Sequence, residues 1–300
     1  MKIAIVGTGG LLGPDVWARL EGEHEVWALG RKRPSFIGTD RWRALDLAKD
    51  QETYSVLTRL NPDLVIHMAA MSNPDDCERA PEEAFRINAL GTRNLAIACQ
   101  RFDTTLLLVS TNYVFGMNEP PAEGYREFDP AAPVNTYGLS KQWAEDFVRS
   151  LLNKFFIVRT AGIFGSGRRC FATEILEACA QGTPVRAATD WTGSYTYSAD
   201  LADAIARLCE SHLYGIYHVS NEGSGTRLEF AQAVSSCFKP ARGFAIEKVR
   251  GEELCQPARR PARVPLNNLH WKLSGFPPLR PWREAVADFV EKIGSTRITS

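Results

Sequence analysis

The chain has 300 residues, of which 44% are hydrophobic and 23% are charged. This balance is typical of a folded protein with a substantial core, and it excludes fibrous and disordered classes. Lysine plus arginine and aspartate plus glutamate number 35 each, so the formal net charge is zero. A chain without a positive excess lacks the usual electrostatic attraction to nucleic acid or to an anionic membrane, and we predict neither as a partner.

The cysteines and histidines show no pattern of a disulfide framework or a metal site. The seven cysteines are scattered and form no C-x-x-C pair, and the five histidines lack ligand spacing. We therefore expect reduced thiols, a cytoplasmic location and no bound metal. No apolar segment reaches the length of a membrane-spanning helix, and the apolar run at residues 3–6 is too short for a signal sequence.

Strands and helices alternate through the first half of the sequence. Short apolar runs predict strands at residues 2–6, 24–29, 42–47, 64–67, 105–109 and 155–158. Longer segments with helical spacing predict helices at residues 11–20, 81–100 and 135–152. This alternation predicts an α/β fold, a doubly wound and Rossmann-like parallel sheet with helices on both faces.

The alternation loosens after about Gly162. Helices are predicted at residues 172–181, 198–211, 228–237 and 282–293, and strands at residues 185–188, 216–219 and 244–249. We therefore predict a dinucleotide-binding domain over residues 1–162 and a mainly substrate-binding lobe over residues 163–300. The boundary between them is soft and allows the chain to cross back to the first domain.

A glycine-rich loop joins the first predicted strand to the first helix. Its glycines are Gly7, Gly10 and Gly13, in a G-x-x-G-x-x-G pattern. Glycines let the backbone turn tightly and approach a pyrophosphate, which is then held at the positive end of the helix. The pattern predicts a dinucleotide site, and its alternative is a purely structural turn between strand and helix.

The end of the second predicted strand indicates which dinucleotide is bound. An acidic residue at this place binds the adenosine ribose of NAD, whereas a basic residue accommodates the extra phosphate of NADP. Arg31 begins a run of three basic residues here, and no carboxylate is present. NADPH is therefore the expected cofactor and NADH the alternative. Asp46 and Leu47, after the third strand, are candidates to flank the adenine.

Tyr137 and Lys141 are four residues apart on a predicted helix and share one of its faces. A free phenol has a pKa of about 10 and is a poor proton donor near neutral pH. A nearby ammonium group stabilises the phenolate and lowers this pKa, so the pair predicts a phenol that acts as a general acid.

Hydroxyl side chains follow the strand at residues 105–109. Ser110 and Thr111 come directly after it, and ligands of parallel sheets bind at the carboxyl ends of strands. A hydroxyl group there can donate a hydrogen bond to a substrate carbonyl and support developing negative charge. The alternative is an ordinary turn or helix cap. Glycine loop, basic strand end, hydroxyl and tyrosine–lysine pair occur in an order that predicts a reductase.

With these motifs the sequence resembles the extended short-chain dehydrogenase/reductase superfamily, and within it the dTDP-4-dehydrorhamnose reductase family. The resemblance covers nearly the whole chain. The glycine and tyrosine–lysine motifs are typical of the superfamily. The segments that are similar to the narrower family are residues 73–78, 84–91, 110–115, 190–196, 215–220 and 260–268.

The resemblance implies a role for each matching residue. The catalytic residues would be Thr111, Tyr137 and Lys141. The cofactor-binding residues would be Gly7, Gly10, Leu11, Leu12, Gly13, Arg31, Asp46, Leu47, Ala69, Ala70, Met71 and Asn88, together with Tyr137 and Lys141. Asn88 would also support the helix that carries Tyr137. The substrate-binding residues would be Asn112, Tyr113, Phe171, Trp191 and Arg260, with Arg260 as an anion contact and Arg159 and Thr160 near the substrate lobe.

The sequence departs from the family pattern at three positions. The family usually has aspartate where this chain has Asn112, and serine and aspartate where it has Val264 and Asn267. Asn112 keeps the size and hydrogen bonding of the family residue but loses its charge. All three positions lie on the expected substrate side, so the departures bear on the identity of the sugar.

The resemblance implies an NADPH-dependent reductase of a nucleotide-linked 4-keto-6-deoxy sugar. Two other enzymes are alternatives, a nucleotide-sugar epimerase with bound NAD and a 4,6-dehydratase. A dehydratase needs an additional acid–base pair beside the threonine, and Asn112 and Tyr113 at that place supply no carboxylate. A third alternative is a non-catalytic, NADP-binding regulatory subunit, such as the β subunit of methionine adenosyltransferase, because fold alone does not decide function. A homodimer is the expected assembly.

Overall fold

A seven-stranded parallel sheet organises the computed structural model, which describes residues 1–238 and 241–298. The strands in chain order are β1 Lys2–Val6, β2 Glu25–Gly30, β3 Trp42–Ala44, β4 Leu64–His67, β5 Thr105–Thr111, β6 Phe155–Thr160, β7 Ile163–Phe164, β8 Val185–Ala188, β9 Thr192–Gly193, β10 Thr196–Tyr197, β11 Gly215–His218, β12 Gly225–Thr226, β13 Ile246–Val249 and β14 Arg263–Val264. The order in the main sheet is β11-β6-β5-β4-β1-β2-β3.

Helices cover both faces of this sheet or build the lobe beside it. In chain order they are α1 Gly13–Leu20, α2 Asp50–Leu60, α3 Pro74–Arg79, α4 Pro81–Ala84, α5 Gly91–Phe102, α6 Thr136–Leu151, α7 Phe171–Gln181, α8 Ser198–Cys209, α9 Arg227–Ser236, α10 Leu269–Leu273 and α11 Trp282–Ile298. Within the part of the chain that the structure describes, every helix is too short or too polar to cross a membrane.

The central strands explain why the sheet forms where the sequence predicts it. All four residues of β4 are buried, as are five of the seven in β5, which is the pattern of strands covered on both faces. One face packs against α1 and α8 through side chains such as Val16 and Leu201. The other packs against α2, α5 and α6 through Leu57, Leu95 and Val148. The prediction of a doubly wound α/β fold is confirmed.

The chain returns to the sheet after it has entered the lobe. β11 pairs with β6 at the edge of the sheet, and α8 packs on α1. Residues 198–219 therefore pack as part of the sheet domain, although they follow residue 162 in the sequence. A boundary at residue 162 marks where the chain first enters the lobe, but it does not separate the residues that pack in the lobe from those that pack with the sheet.

The lobe has its own aromatic core and three small sheets, β10-β7, β12-β9-β14 and β13-β8. Its core centres on Phe164, whose ring centroid lies 5.4 Å from that of Phe230 and 5.5 Å from that of Phe289. A smaller cluster around Phe115 and Val264 joins the lobe to the end of β5. This junction places lobe residues beside the carboxyl ends of the central strands.

The structure differs from the predicted elements in two places that matter for the site. The helix predicted at residues 81–100 is divided, because a π-helical turn at Phe85–Leu90 separates α4 from α5. Such turns are frequent at functional sites, and this one contains Asn88. β5 extends beyond the predicted end at residue 109 to Thr111, which places that hydroxyl on the strand itself.

Candidate active site

The glycine loop passes over the carboxyl ends of β1 and β4. Gly7 has a φ of +100°, and a Cβ there would lie 2.6 Å from the backbone nitrogen of Ala69. A Cβ on Gly13 would lie 2.1 Å from the carbonyl oxygen of Thr8. Both positions therefore require glycine for steric reasons. The loop leads into α1, whose amino end carries the unpaired N–H groups that favour a phosphate.

The loop and its surroundings fit a dinucleotide such as NADPH. Leu12 is buried beneath the loop, and Arg31, directly after β2, is exposed and free of any ion pair among the described residues. Asp46 and Leu47 follow β3, where Asp46 accepts a hydrogen bond from Ala48 N at 3.1 Å. The predicted cofactor residues on β1, β2 and β3 thus lie along one edge of the sheet, at its carboxyl side.

Asn88 connects the segment after β4 to the helix that carries Tyr137. Its Oδ1 accepts a hydrogen bond from Met71 N at 2.8 Å, and its Nδ2 donates to Met71 O and to Ser140 Oγ, at 3.1 and 2.9 Å. Asn88 is buried, so these contacts hold both segments in place. Ala69 and Ala70 precede Met71 in this segment, and the backbone of Ala69 lies against Gly7 of the glycine loop.

The amino end of α6 is fixed against the end of β5. The side chain of Asn135 caps the helix by accepting from Gly138 N at 2.8 Å, and it donates to Arg259 O at the same distance. A Cβ on Gly138 would lie 2.0 Å from the carbonyl oxygen of Tyr113. This close approach brings Tyr137, the second residue of α6, next to Thr111 and Tyr113.

Tyr137 and Thr111 form the centre of the candidate site. The Thr111 hydroxyl lies near the Tyr137 phenol and lowers its pKa, and it accepts a hydrogen bond from Tyr113 N at 3.1 Å. The rings of Tyr137 and Tyr113 meet edge to face at 6.0 Å. Burial raises the pKa of Tyr137 above its ordinary value, and the Thr111 hydroxyl opposes this only in part. The phenol is therefore protonated at neutral pH.

Lys141 lies one turn beyond Tyr137 and is almost fully buried. Its Nζ donates to Val109 O at 2.9 Å, and burial lowers its pKa to about 8 although the Glu145 carboxylate raises it. Burial outweighs the expected lowering by this lysine, so the pKa of Tyr137 lies above its ordinary value. The prediction of a lowered phenol pKa was wrong, and the reason is desolvation of the site.

A buried ion pair supports the same turn of α6. Arg159 on β6 donates to both oxygens of Glu145, with its shortest contact at 2.6 Å, and the Ser110 hydroxyl donates to Glu145 at 2.5 Å. All three side chains are buried, so they fix α6 against β5 and β6. Arg159, predicted near the substrate lobe, is thus fully engaged beneath the site.

Two of the three departures from the family pattern contact each other. Asn112 Nδ2 donates to the carbonyl oxygen of Val264 at 3.0 Å, across the junction between β5 and the lobe. Asn112 is buried, and its Oδ1 lies 3.4 Å from the Thr111 hydroxyl. The amide is therefore committed to the lobe strand β14.

Arg260 is also committed to a protein partner. Its guanidinium holds the carboxylate of Asp75 through two contacts of 2.8 and 2.9 Å, and its side chain is only 9% exposed. This pairing lowers the pKa of Asp75, chiefly through the hydrogen bond from Arg260. The Asp75 carboxylate therefore neutralises the charge of Arg260, which was predicted to contact an anion of the substrate.

The remaining predicted substrate residues, Phe171 and Trp191, lie in the lobe and are half-buried. Both contact Arg227, the first residue of α9. The Cζ of Arg227 is 3.7 Å from the ring centroid of Phe171, and its backbone nitrogen donates to Trp191 O at 3.0 Å. Arg227 was not predictable from the sequence, because an isolated arginine at the start of a helix carries no motif.

A large cavity lies elsewhere, beside the middle and the carboxyl end of α6. It has a volume of about 650 Å³ and is lined by residues of α6, α10 and the segment at residues 127–131. None of the residues predicted to be catalytic or to bind the cofactor lines it. The candidate site is therefore defined by the convergence of side chains and not by this cavity.

The fold also brings together one group of potential metal ligands that sequence spacing did not indicate. Ligand atoms of Glu23, His24 and Glu210 lie within 4.8 Å of one another, at the ends of α1 and α8. His24 directly precedes β2, so the group lies at the amino edge of the sheet, away from the candidate site. Glu23 is exposed and already pairs with Arg19 at 3.2 Å.

The comparisons with known proteins agree with this geometry. The family model described as RmlD substrate binding domain matches residues 1–295. The chain belongs to this family. The resemblance drawn from the sequence motifs is thereby confirmed, and it extends over almost the whole chain.

Relatives match the chain over nearly its full length. Spore coat polysaccharide biosynthesis protein SpsK of Bacillus subtilis is 32% identical over 98% of this chain and 98% of its own. The dTDP-4-dehydrorhamnose reductase of Streptomyces griseus is 32% identical over 95% and 91%. The structure of dTDP-4-dehydrorhamnose reductase from Bacillus anthracis in complex with NADP has a TM-score of 0.89, is 33% identical, and covers 97% of this chain and 99% of its own.

Proposed function

We propose that this protein is an NADPH-dependent reductase that acts on the keto group of a nucleotide-linked 4-keto-6-deoxy sugar. The single observation that carries the proposal is the convergence of Tyr137 and Thr111 at the carboxyl end of β5, where Gly138 packs against Tyr113 O and the Tyr113 and Tyr137 rings meet at 6.0 Å. Membership of the RmlD family supports the substrate class. The relative from Bacillus anthracis, whose structure contains NADP, supports the cofactor.

Tyr137 would donate the proton that the new alkoxide requires. Its pKa is raised by burial, so the phenol keeps its proton through the neutral range and is available as a donor. Thr111 would donate a hydrogen bond to the same carbonyl oxygen and stabilise the charge that develops there. Two donors aimed at one oxygen favour the reduced, alkoxide-like transition state over the ground-state ketone.

Lys141 would supply the positive charge of the site. Its ammonium group lies one helical turn from Tyr137 and is buried, so its field is poorly screened by water. This charge favours transfer of the phenol proton, because it stabilises the phenolate that remains. The Glu145 carboxylate raises the pKa of Lys141 and helps to keep it charged.

The glycine loop and the basic run after β2 would hold the cofactor. The cradle formed by Gly7 and Gly13 admits a pyrophosphate because no Cβ fills it, and Arg31 is placed to contact the extra phosphate of NADPH. NADPH, when bound, supplies the hydride for the keto carbon. Asn88 would keep the segment of Ala69, Ala70 and Met71 and the amino end of α6 in register with each other.

The decisive experiment follows NADPH oxidation by absorbance with dTDP-linked 4-keto-6-deoxy sugars, and with the corresponding UDP- and GDP-linked sugars. We expect turnover with at least one of them, and a loss of about 100- to 10,000-fold in kcat for Tyr137→Phe. Tyr214→Phe, which alters a tyrosine on the far side of the sheet, is the matched control. Absence of NADPH oxidation with every nucleotide-linked keto sugar would contradict the proposal.

The same preparation separates the alternatives. An epimerase would purify with tightly bound NAD and would interconvert sugars without net oxidation of NADPH. A non-catalytic regulatory subunit would bind NADPH, co-purify with a partner enzyme and leave the keto sugar unchanged. Neither alternative is favoured by a specific contact in the site, and the exposed basic run beginning at Arg31 weighs against an NAD-bound epimerase.

We further propose that the protein forms a homodimer through the outer face of α5 and α6. Four large apolar side chains are exposed on or beside these helices, Leu90, Ile97, Leu139 and Trp143, at 37 to 49% of their maximal area. Exposed apolar side chains in this number indicate an interaction surface. Light scattering coupled to gel filtration is expected to give a dimer for the wild type and a monomer for Trp143→Glu.

We also propose that the protein is cytoplasmic. All seven cysteines are free, and four of them, Cys77, Cys99, Cys179 and Cys209, are buried. Proteins of oxidising compartments generally pair their cysteines, so free thiols favour a reducing environment. Fractionation of cells of the source organism tests this, and recovery in a secreted or envelope fraction would contradict it.

A further inference from the structure

Arg227 occupies a position in the lobe that faces the candidate site. It begins α9, it is half-buried, and its guanidinium lies over the ring of Phe171, with Cζ 3.7 Å from the ring centroid. A cation over an aromatic face is held in place by the quadrupole of the ring. Its backbone nitrogen donates to Trp191 O at 3.0 Å, which fixes the start of the helix. Arg227 is therefore positioned by two residues that the sequence assigned to the substrate side.

The charge of Arg227 is not neutralised by a neighbouring carboxylate. Within residues 1–238 and 241–298, its guanidinium makes no hydrogen bond with a side chain or carbonyl and no ion pair within 4.0 Å. Glu174 attracts it only from a longer distance, and burial lowers its pKa. A partly desolvated guanidinium without a partner is costly, so an anion that binds there recovers interaction energy that the protein alone does not supply.

Arg260 differs from Arg227 in this respect. The Asp75 carboxylate holds Arg260 through a two-point contact, so that pair carries no net charge. Both guanidinium groups lie near the Tyr113 phenol, because burial raises the pKa of Tyr113 and the two positive charges oppose this rise. Tyr113 in turn lies against Tyr137, with ring centroids 6.0 Å apart. The uncompensated cation is thus one side chain away from the residue proposed to donate the proton.

We infer that Arg227, and not Arg260, is the arginine that binds the pyrophosphate of the nucleotide-linked sugar. This inference rests on the proposed function for the substrate class. Arginine suits the task, because its planar fork matches phosphate oxygens in a two-point contact and its charge persists at all working pH values. Phe171 holds the guanidinium through the cation–π contact.

The test measures binding without turnover, by titrating dTDP and thymidine separately into the protein in the presence of NADP. We expect Arg227→Met, which keeps a flexible apolar chain over Phe171, to weaken dTDP binding at least about 10-fold, equivalent to ~1.4 kcal/mol. Thymidine binding and the KM for NADPH are expected to stay unchanged. Arg227→Lys retains the charge without the fork, and an intermediate loss is expected.

Arg283→Met is the matched control. Arg283 also lies over an aromatic ring, that of Trp282 at 4.3 Å, but its side chain is 55% exposed and it belongs to α11. This variant is expected to bind dTDP like the wild type. Unfolding midpoints measured for all variants without ligand show whether each one folds, and a variant that does not fold is replaced by Arg227→Gln.

Two results would overturn the inference. One is equal binding of dTDP by Arg227→Met and the wild type, and the other is a wild type that binds dTDP no better than thymidine. Failure of the proposed function looks different, since it appears as absence of NADPH oxidation with keto sugars while dTDP still binds through Arg227. The binding and turnover measurements therefore fail independently.

Discussion

Asn112 donates a hydrogen bond of 3.0 Å to the carbonyl oxygen of Val264, and both residues differ from the family pattern. A carboxylate at position 112 could not make this contact when ionised, because it has no hydrogen to donate. The amide therefore does more than preserve the size of the family residue. It ties the end of β5 to β14 and so fixes the junction between sheet and lobe.

We predict that Asn112→Asp destabilises the protein by at least ~2 kcal/mol near pH 8, because a buried carboxylate would face a carbonyl oxygen. The cost is expected to shrink at lower pH, where the protonated acid can donate to Val264. Urea unfolding at about pH 8 and about pH 5.5 measures both effects. Asn118→Asp, the same change at an exposed position, is the control. Equal stability of both variants would contradict a stabilising role for the Asn112 contact.

A second prediction concerns Gly13 in the glycine loop, and Gly9 in the same loop is its control. A Cβ on Gly13 would lie 2.1 Å from Thr8 O, whereas a Cβ on Gly9 would approach only the Pro34 ring, at 3.7 Å. Gly13→Ala is expected to cost about 1–3 kcal/mol of stability and to weaken NADPH binding strongly, because the loop must shift to relieve the overlap. Gly9→Ala is expected to leave both nearly unchanged.

Denaturant unfolding and fluorescence titration with NADPH provide the two measurements for these glycine variants. If Gly13→Ala binds NADPH as tightly as Gly9→Ala does, the loop is not the cradle of the cofactor. The result then favours the alternative that the glycines only form a turn between β1 and α1.

We predict that Arg31 contributes to the preference for NADPH over NADH. Its exposed guanidinium follows β2, where the extra phosphate of NADP is accommodated in folds of this class. Arg31→Gln is expected to lower the ratio of kcat/KM for NADPH to that for NADH by about 10-fold or more, since it removes a charge-assisted contact. Lys32→Gln, the adjacent exposed cation, is expected to change the ratio less. A similar decrease in both variants would assign the preference to the field of the whole basic run.

Local pattern was sufficient to predict the sheet and the order of the motifs. Continuous apolar runs identified β1, β4 and β5, because strands buried on both faces need them. The π-helical turn at Phe85–Leu90 was not predictable, since an amphipathic segment reads the same with or without one wider turn. That turn matters, because it contains the Asn88 that joins Met71 to Ser140.

The charge and the protonation of the site residues depend on contacts between segments that are distant in the sequence. Arg260 meets Asp75 from 185 positions away in the sequence, so spacing could not show that its charge is neutralised. For the same reason, spacing could not show that the guanidinium of Arg227 has no ion-pair partner among the described residues. The spacing of Tyr137 and Lys141 indicated the pair but not the burial of both groups, which raises one pKa and lowers the other.

Two buried histidines make the protein sensitive to acid. Burial, together with the nearby cations of Lys141 and Arg159, lowers the pKa of His67 and of His218 to about 3. Between about pH 6.5 and about pH 3 the unfolded chain binds protons at these positions that the folded chain does not bind. Stability is therefore lost as the pH falls through this range, by up to ~1.4 kcal/mol per pH unit for each histidine.

His67→Gln tests this pH dependence, because a glutamine amide can replace the contact of 3.0 Å between His67 Nε2 and Thr92 Oγ1 without titrating. Its unfolding free energy is expected to decline less steeply than that of the wild type between about pH 6.5 and about pH 4. His212→Gln alters an exposed histidine and is expected to keep the wild-type slope. Urea titrations at half-unit intervals of pH supply the comparison.

Lys141 determines the alkaline limit of activity. Its pKa is lowered to about 8 by burial, so the ammonium charge is present below this pH and is lost above it. The Tyr137 phenol remains protonated across the same range, since burial raises its pKa. We therefore expect kcat/KM, which reports the free enzyme, to be level near neutral pH and to fall as the pH rises through about 8.

Lys141→Arg separates this interpretation from a general effect of alkaline pH. The guanidinium does not titrate in the working range, so the variant is expected to have lower activity but a level profile up to about pH 10. The measurement is NADPH oxidation as a function of pH, with circular dichroism at each pH to monitor folding. If the variant shows the same decline near pH 8 as the wild type, another group titrates there, and the charge on Lys141 is not what drives transfer of the Tyr137 proton.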